Sequence, residues 1–319
     1  MQGKLVVLGG AGLIGHSMVK ALNKQGYDVR YVDYIMPDIN NTIAGVEYSI
    51  GDVRDKSFFS DVLKEARVVM DFIAPTMPNS GDISLNKEIS SALDYHDYVL
   101  SMMAEHDVRN YVFPSSGGTV YGSIEKGKAS ETDILNPSTP YGAGKMLAED
   151  IIKYYNSKAD ITSFIFRLGN VYGSPNIRRK AQGIIDLFVQ KALRGEKIVL
   201  WRGARNVIRD YVFLDDAIDG MIKTLQKKYK QKGVFIYNIA TGEGVNTETI
   251  IKTISEKTGK ELIIENEKSL PSGINRIVLS SEKIHEEIGW KAKTSIEGGI
   301  EKTIELKETA LGVISNGKA

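Results

Sequence analysis

Lys4-Leu5-Val6-Val7-Leu8-Gly9-Gly10-Ala11-Gly12-Leu13-Ile14-Gly15 is the stretch that decides the fold. Its first five residues carry four aliphatic side chains in a row, the mark of a strand covered on both faces. Glycines follow at 9, 12 and 15. The first permits a tight turn, the second lets a pyrophosphate approach the backbone, and the third lets a helix pack closely on the strand. An amphipathic helix over 13–24, opening with Leu13 and Ile14, then turns its unsatisfied N–H groups and partial positive charge toward the phosphates. Asp33 ends the next apolar strand, where a carboxylate accepts hydrogen bonds from a ribose diol and repels a 2′-phosphate. The expectation is a Rossmann unit that takes NAD rather than NADP, although a nucleotide-free strand-to-helix turn also uses glycine.

Working outward, apolar strand patterns at 4–8, 28–32, 47–50, 68–73, 111–113 and 161–166 alternate with helical ones at 13–24, 56–65, 83–105 and 141–155. That alternation predicts a doubly wound parallel α/β sheet. Beyond Gly173 the rhythm loosens. Helices at 183–193, 215–226, 247–258 and 281–288 surround short strands near 198–200, 210–212, 234–238 and 262–264. The expected organisation is an NAD-binding domain over 1–173, with elements returning near 207–240, and a smaller mixed α/β substrate lobe over 174–319.

Composition narrows the classes. Lys plus Arg number 41 against 40 Asp plus Glu, a net charge of +1, so no general field draws nucleic acid or an anionic membrane. No cysteine is present, which excludes disulfides, thiol nucleophiles and thiolate zinc sites, and four histidines without ligand spacing speak against a metal. The uncharged run 5–19 is too short to span a bilayer and is broken by glycines. The expected setting is the cytoplasm.

Two further motifs carry chemistry. Asp52, in Gly51-Asp52-Val53, closes the third strand and reads either as a hydrogen-bond acceptor for the adenine amino group or as a helix cap. Pro140-Tyr141-Gly142-Ala143-Gly144-Lys145 opens a helix, and a separation of four residues stacks phenol and ammonium on one face. A free phenol, with a pKa of about 10, is a poor base. A neighbouring ammonium and a cationic nicotinamide both favour the phenolate, so Tyr141 is expected to be lowered toward the working range and to act as a base.

With these residues in place the chain resembles the extended short-chain dehydrogenase/reductase family, in its NAD-dependent epimerase/dehydratase branch, over nearly its whole length. The resemblance rests on Gly9-x-x-Gly12-x-x-Gly15, Gly51-Asp52-Val53, Ser115-Ser116-Gly117-Gly118-Thr119-Val120-Tyr121-Gly122 and Tyr141-x-x-x-Lys145. It continues through Arg167-x-Gly169-Asn170-x-Tyr172-Gly173, Arg209-Asp210-Tyr211 and Tyr237-Asn238-Ile239-Ala240. It implies a nucleotide-diphosphate sugar as substrate and a 4-epimerase of the UDP-glucose/UDP-galactose type, or one for an N-acetylhexosamine analogue, working through a transient 4-keto sugar. Tyr141 and Lys145 would be catalytic and would also touch NAD, joined there by Val53 and Ala74. Ser116, Thr119, Asn170, Trp201 and Arg209 would contact substrate. For Arg209 an ion pair with Asp215 or Asp216 is the plainer alternative, and for Trp201 a place in the core or at the rim. The resemblance also implies a homodimer through helices 83–105 and 141–155, whose apolar positions Met102, Met103, Met146, Ile151, Ile152 and Tyr155 suit a core or an interface equally.

The chain departs from the pattern in places. The family's serine or threonine four residues before the motif tyrosine falls at Gly117, and Ser116 is expected to replace it. Gly118 and Thr119 stand where dehydratases carry an acid pair, which disfavours 4,6-dehydration. A second phosphate-binding arginine falls at Leu270, with Arg276 nearby, and Ile277 stands at a position that narrows the sugar pocket in some relatives. A family asparagine has no counterpart within 92–98. A net sugar reductase or dehydrogenase, or a non-catalytic NAD-binding regulator, are the competing readings.

Overall fold

The computed structural model describes residues 3–37, 39–74, 83–175, 183–267 and 275–312. The first half runs β1 (Lys4–Leu8), α1 (Leu13–Lys24), β2 (Val29–Asp33), β3 (Glu47–Ile50), α2 (Lys56–Leu63), β4 (Ala66–Asp71), α3 (Leu85–Glu105), β5 (Asn110–Ser116), α4 (Gly117–Val120), α5 (Pro140–Ala159), β6 (Thr162–Leu168) and β7 (Asn170–Tyr172). It continues through α6 (Ile184–Arg194), β8 (Ile198–Trp201), β9 (Ile208–Phe213), α7 (Leu214–Lys228), β10 (Val234–Ile239), β11 (Gly244–Asn246), α8 (Thr247–Thr258), β12 (Ile264–Glu267), β13 (Arg276–Ile277), α9 (Glu282–Ile288) and α10 (Ile296–Leu311).

Seven parallel strands form the main sheet in the order β10-β6-β5-β4-β1-β2-β3. The order reverses between β1 and β4, and the crevice outside the carboxyl ends of the strands at such a switch point is where doubly wound sheets bind ligands. The sheet is buried on both faces. Leu5, Val7 and Phe166 lie in the core under α1 and α7, while Val6, Leu8 and Ile165 face α3 and α5. A smaller sheet, β11-β9-β13 with β7 also on β9, and a β8–β12 pair carry the third core, which includes Phe188, Phe213 and Ile254.

Local signals explain the helices. The α1 face buries Gly15, Met18, Val19 and Leu22, at the three- and four-residue spacing of an amphipathic helix. Thr139 caps α5, accepting from the Gly142 N–H at 3.1 Å, with Pro140 in the first turn. Asp55, rather than Asp52, caps α2 through the Ser57 and Phe58 amides. Strands β7, β11 and β13, of two or three residues each, show no readable period in the sequence, and α4 and α10 lie outside the expected helices.

Candidate active site

Gly9 has a φ of +78°, a conformation open to glycine, and turns β1 into α1. A Cβ on Gly15 would stand 2.2 Å from the Gly9 carbonyl oxygen, so the helix approaches the strand as closely as backbone allows. Gly12 caps α1 without a side chain, and its carbonyl accepts the first helical bond from His16 N–H at 2.9 Å. The amides of Leu13, Ile14 and Gly15 therefore start the helix with no carbonyl one turn back, an arrangement that suits a phosphate. Asp33 is buried at the end of β2, and its two oxygens accept from Ala11 N–H at 2.9 Å and Ile35 N–H at 3.1 Å. The glycine turn and the acid expected to hold a ribose are thus joined. These features fit a dinucleotide.

Asp52 lies just beyond β3, half-exposed, and pairs with Arg54 at 2.8 Å; hydrogen bonds from Arg54 lower its carboxyl below the usual range. Val53 is buried beside Val32 and Phe59, so its side chain serves the core and only its backbone is left for a ligand.

Ala74, Glu88, Ala92, His96, Tyr141, Gly144 and Lys145 line one cavity between α3 and α5. Tyr141 and Lys145 share a face as the spacing predicts, and the ammonium stands 5.8 Å from the Tyr141 ring centre and 4.4 Å from that of Phe113, donating to the Pro114 carbonyl at 2.9 Å. Burial pushes Lys145 down to about 8, against the opposing pull of Asp71, Glu88 and Glu149. The expected lowering of Tyr141 by its neighbour is corrected here. Burial, reinforced by the Glu88 carboxylate, pushes the phenol up. Beneath the pair, Asp71 is fully buried and accepts from Tyr95 at 2.9 Å, Tyr111 at 2.7 Å and Ile73 N–H at 3.1 Å. Burial raises it to about 6, opposed by those hydrogen bonds. His96, 4.0 Å from Asp71, is driven down to about 3 by burial and by Lys145; it is neutral at pH 7, and the approach is no ion pair.

The motif between 115 and 122 divides its labour. Ser115 is buried and donates to Glu149 at 2.5 Å; Glu149 also takes a fork from Arg167, at 3.1 Å to Nε and 2.7 Å to the terminal nitrogen. Arg167 in turn donates to the Tyr121 hydroxyl at 2.9 Å, which donates to Asn238 at 2.8 Å. Arg167, Tyr121 and Asn238 thus build a buried polar scaffold. Ser116 ends β5 partly exposed, and Thr119 donates back to its carbonyl at 3.3 Å. A Cβ on Gly117 would meet Leu279 at 2.5 Å and the Arg167 carbonyl at 3.1 Å, so a hydroxyl side chain has no room at the family's position. A Cβ on Gly142 would meet the Thr119 carbonyl at 2.9 Å, which sets the Tyr141 turn directly against the 116–119 turn.

The remaining candidates lie on neighbouring strands. Asn170 sits within about one side-chain contact of Gly118 and donates to the Asp210 carbonyl at 3.2 Å. Arg209, on β9, donates to the Ile208 carbonyl at 2.9 Å and is lowered by burial. Asp216, weighed as its partner, accepts from the Lys293 and Thr294 amides. Asp210 of the same motif is buried and gathers Thr241, Gly242 and Leu279 amides, a structural knot. Trp201 is 49% exposed at the end of β8, which removes the core alternative. Arg276 is held by the Ile124 and Gly127 carbonyls, and Ile277 is buried in the core with Tyr121 and Leu279. Leu270 lies outside the described residues.

Sequence reasoning passed over Glu88, Asp71 and His96. The readable signal was the one-turn stripe Glu88, Ala92, His96 on α3, an acid and an imidazole on a face that is otherwise apolar. Among the described residues no group of acids and histidines is arranged to hold a metal, and no helix is long and apolar enough to cross a membrane.

Residues 5–240 match the model of the NAD dependent epimerase/dehydratase family, and the chain belongs to that family. It is 30% identical to a Methanocaldococcus jannaschii protein named "Putative UDP-glucose 4-epimerase", over 94% of this chain and 97% of that one. It is 24% identical to the dTDP-4-dehydro-6-deoxyglucose reductase of Escherichia coli, over 94% and 96%. Among solved structures, UDP-glucose 4-epimerase from Thermotoga maritima with UDP-glucose superposes with a TM-score of 0.86 at 25% identity, covering 97% of this chain and 99% of that one. The Thermus thermophilus enzyme in complex with NAD gives 0.83 at 27%, covering 96% and 99%. The chain is an NAD-dependent enzyme of the nucleotide-sugar 4-epimerase family.

Proposed function

We propose that the protein interconverts a nucleotide-diphosphate hexose, of the UDP-glucose/UDP-galactose type or its N-acetylhexosamine analogue, with its C4 epimer. The observation that carries this reading is the shared Tyr141–Lys145 face of α5, which lines a small cavity against α3, with the Tyr141 turn packed on the 116–119 turn. Bound NAD would supply a hydride acceptor for sugar C4 and the donor for its return, so that no net oxidant is needed. Tyr141 removes the C4 hydroxyl proton as the hydride leaves, and gives it back once the 4-keto sugar has turned its other face. Lys145 holds positive charge beside the phenol and reaches the nicotinamide ribose. Ser116 hydrogen-bonds the same sugar oxygen, with Thr119 alongside. Asn170 and the Arg209 fork hold the diphosphate, a match of planar donors to phosphate oxygens, and Trp201 lies at the rim toward the base. Leu13, Ile14 and Gly15 amides hold the pyrophosphate of the cofactor, Asp33 its ribose and Asp52 its adenine.

In this reading residues 1–173, with the elements returning near 207–240, bind the cofactor, and 174–319 form the sugar-nucleotide lobe. The setting is cytoplasmic. Two copies pair through α3 and α5, whose Met102, Met103, Ile151 and Ile152 are spent on the core while Leu93 and Tyr154 stay exposed on the same helices. A monomer by sedimentation would exclude that pairing.

Purified protein, without added NAD, is expected to convert UDP-glucose or its N-acetylhexosamine analogue to a mixture with the C4 epimer. No epimer from a panel of UDP-, dTDP-, GDP- and CDP-sugars would sink the proposal. Stoichiometric consumption of NADH would favour the reductase reading that the Escherichia coli relative raises. Ser116→Ala is expected to lower kcat about 100-fold. Gly117→Ser is expected to destabilise by about 1–3 kcal/mol through the Leu279 and Arg167 contacts, and not to rescue Ser116→Ala. Turnover and urea midpoints of the two variants check both statements.

A further inference from the structure

Glu88 is the feature of this site that the catalytic scheme leaves unused. It is 4% exposed on α3, one turn from Ala92 and two from His96, and it lines the same cavity as Tyr141 and Lys145. The opposing helix makes room for it: a Cβ on Gly144 would stand 2.5 Å from the Glu88 Oε1. Its charge reaches both catalytic groups, pushing the Tyr141 phenol up and supporting the Lys145 ammonium. Around it, α5 presents Tyr141 and Lys145, with Glu149 one turn deeper; α3 presents His96, which is neutral; and the end of β4 presents Ala74, with buried Asp71 below.

The reaction places two cations near this cavity, the Lys145 ammonium and the oxidised nicotinamide, because the hydride acceptor must face the carbon whose hydroxyl Tyr141 deprotonates. The reduced ring is neutral. A buried anion therefore does not treat the two redox forms alike. We propose that Glu88 is a positioning residue for charge: its carboxylate, seated against Gly144 behind Tyr141 and Lys145, favours the oxidised dinucleotide over the reduced one. This rests on the epimerase reading for its use. An enzyme that must return every hydride gains from a site in which the reduced cofactor is the less stable form, since the keto sugar is then reduced before it escapes.

The test is the ratio of Kd for NAD to Kd for NADH, with no sugar present. NADH is titrated by its fluorescence and NAD by displacement, on the parent and on Glu88→Gln, which keeps size but removes charge, exchanging one acceptor oxygen for a donor. The ratio is expected to rise about tenfold, equivalent to a rise of about 30 mV in the potential of the bound couple. Glu88→Asp, which keeps the charge but draws it back by one methylene, is expected to fall between the parent and Glu88→Gln. Should the Gln variant fail to fold, Gly144→Ala displaces the carboxylate without neutralising it and is expected to shift the ratio in the same direction. An unchanged ratio in a folded Glu88→Gln protein, or in Gly144→Ala where that variant stands in, overturns the proposal. Because the readout needs no sugar, an unchanged ratio with normal epimerisation rejects Glu88 alone, while a shifted ratio without epimerisation rejects only the substrate reading.

Discussion

Tyr141→Phe is expected to lose about 10³-fold in kcat while folding and binding NAD as the parent does. The substitution removes one oxygen and keeps the ring that lines the α3–α5 cavity. None of the hydrogen bonds among the described residues uses that oxygen, so its loss strands no partner, and stability should change by less than about 0.5 kcal/mol. A purely structural tyrosine would show the reverse, a shifted denaturation midpoint and little change in turnover. The pH profile gives a second check. Burial and Glu88 hold the phenol up, so activity in the parent should rise with pH as the base form is populated. Lys145 is charged below about 8 and loses its charge above it, so the profile should bend downward there. The phenylalanine variant should show no rising limb. A Tyr141→Phe protein that turned over like the parent would remove the assigned base.

Glu149→Ala is expected to cost about 3–5 kcal/mol, more than any other side-chain truncation suggested by this site, because it leaves a guanidinium buried without its counter-charge. Glu149 is fully buried and Arg167 3% exposed; the Ser115 hydroxyl would lose its acceptor as well. Arg167 would keep only the Tyr121 hydroxyl and the Glu131 carbonyl, neither of them charged. By contrast, removing Asp150 from its exposed pair with Lys153, one residue along, should change stability by about 0.5 kcal/mol or less. Urea denaturation of the two variants side by side tests the comparison. Equal small effects would mean that the buried pair adds nothing that water could not replace.

Much of the fold could be read before any coordinates, where elements are long and periodic. The bounds expected for β1, α1, β3 and α8 coincide with those observed; for β1, α1 and α8 the reason is that an apolar strand or a three-turn amphipathic face is a pattern local to its own residues. β7 and β11 are invisible for the opposite reason: three residues hold no period, and their pairing with β9 is decided by partners some forty residues distant. The site shows the same divide. The glycine turn, Asp33 and the Tyr141–Lys145 spacing carry their chemistry within a few residues. Glu88 and Asp71 sit inside stretches that read as an ordinary helix and an ordinary strand, and acquire meaning once α3 packs on α5. The lowered phenol was expected from the neighbouring ammonium and a cationic nicotinamide; the spacing that places Lys145 there does not report burial, which acts in the other direction.

The bond from the Ala11 amide to Asp33 has a consequence for changing cofactor preference. The same carboxylate that would turn away a 2′-phosphate also staples the first bend of the chain and, through Ile35, the segment leaving the second strand. Exchanging it for a neutral or basic residue would therefore loosen the cradle while inviting the larger dinucleotide. A conversion to NADP dependence calls for two edits made together, one to welcome the extra phosphate and one to restitch the loop.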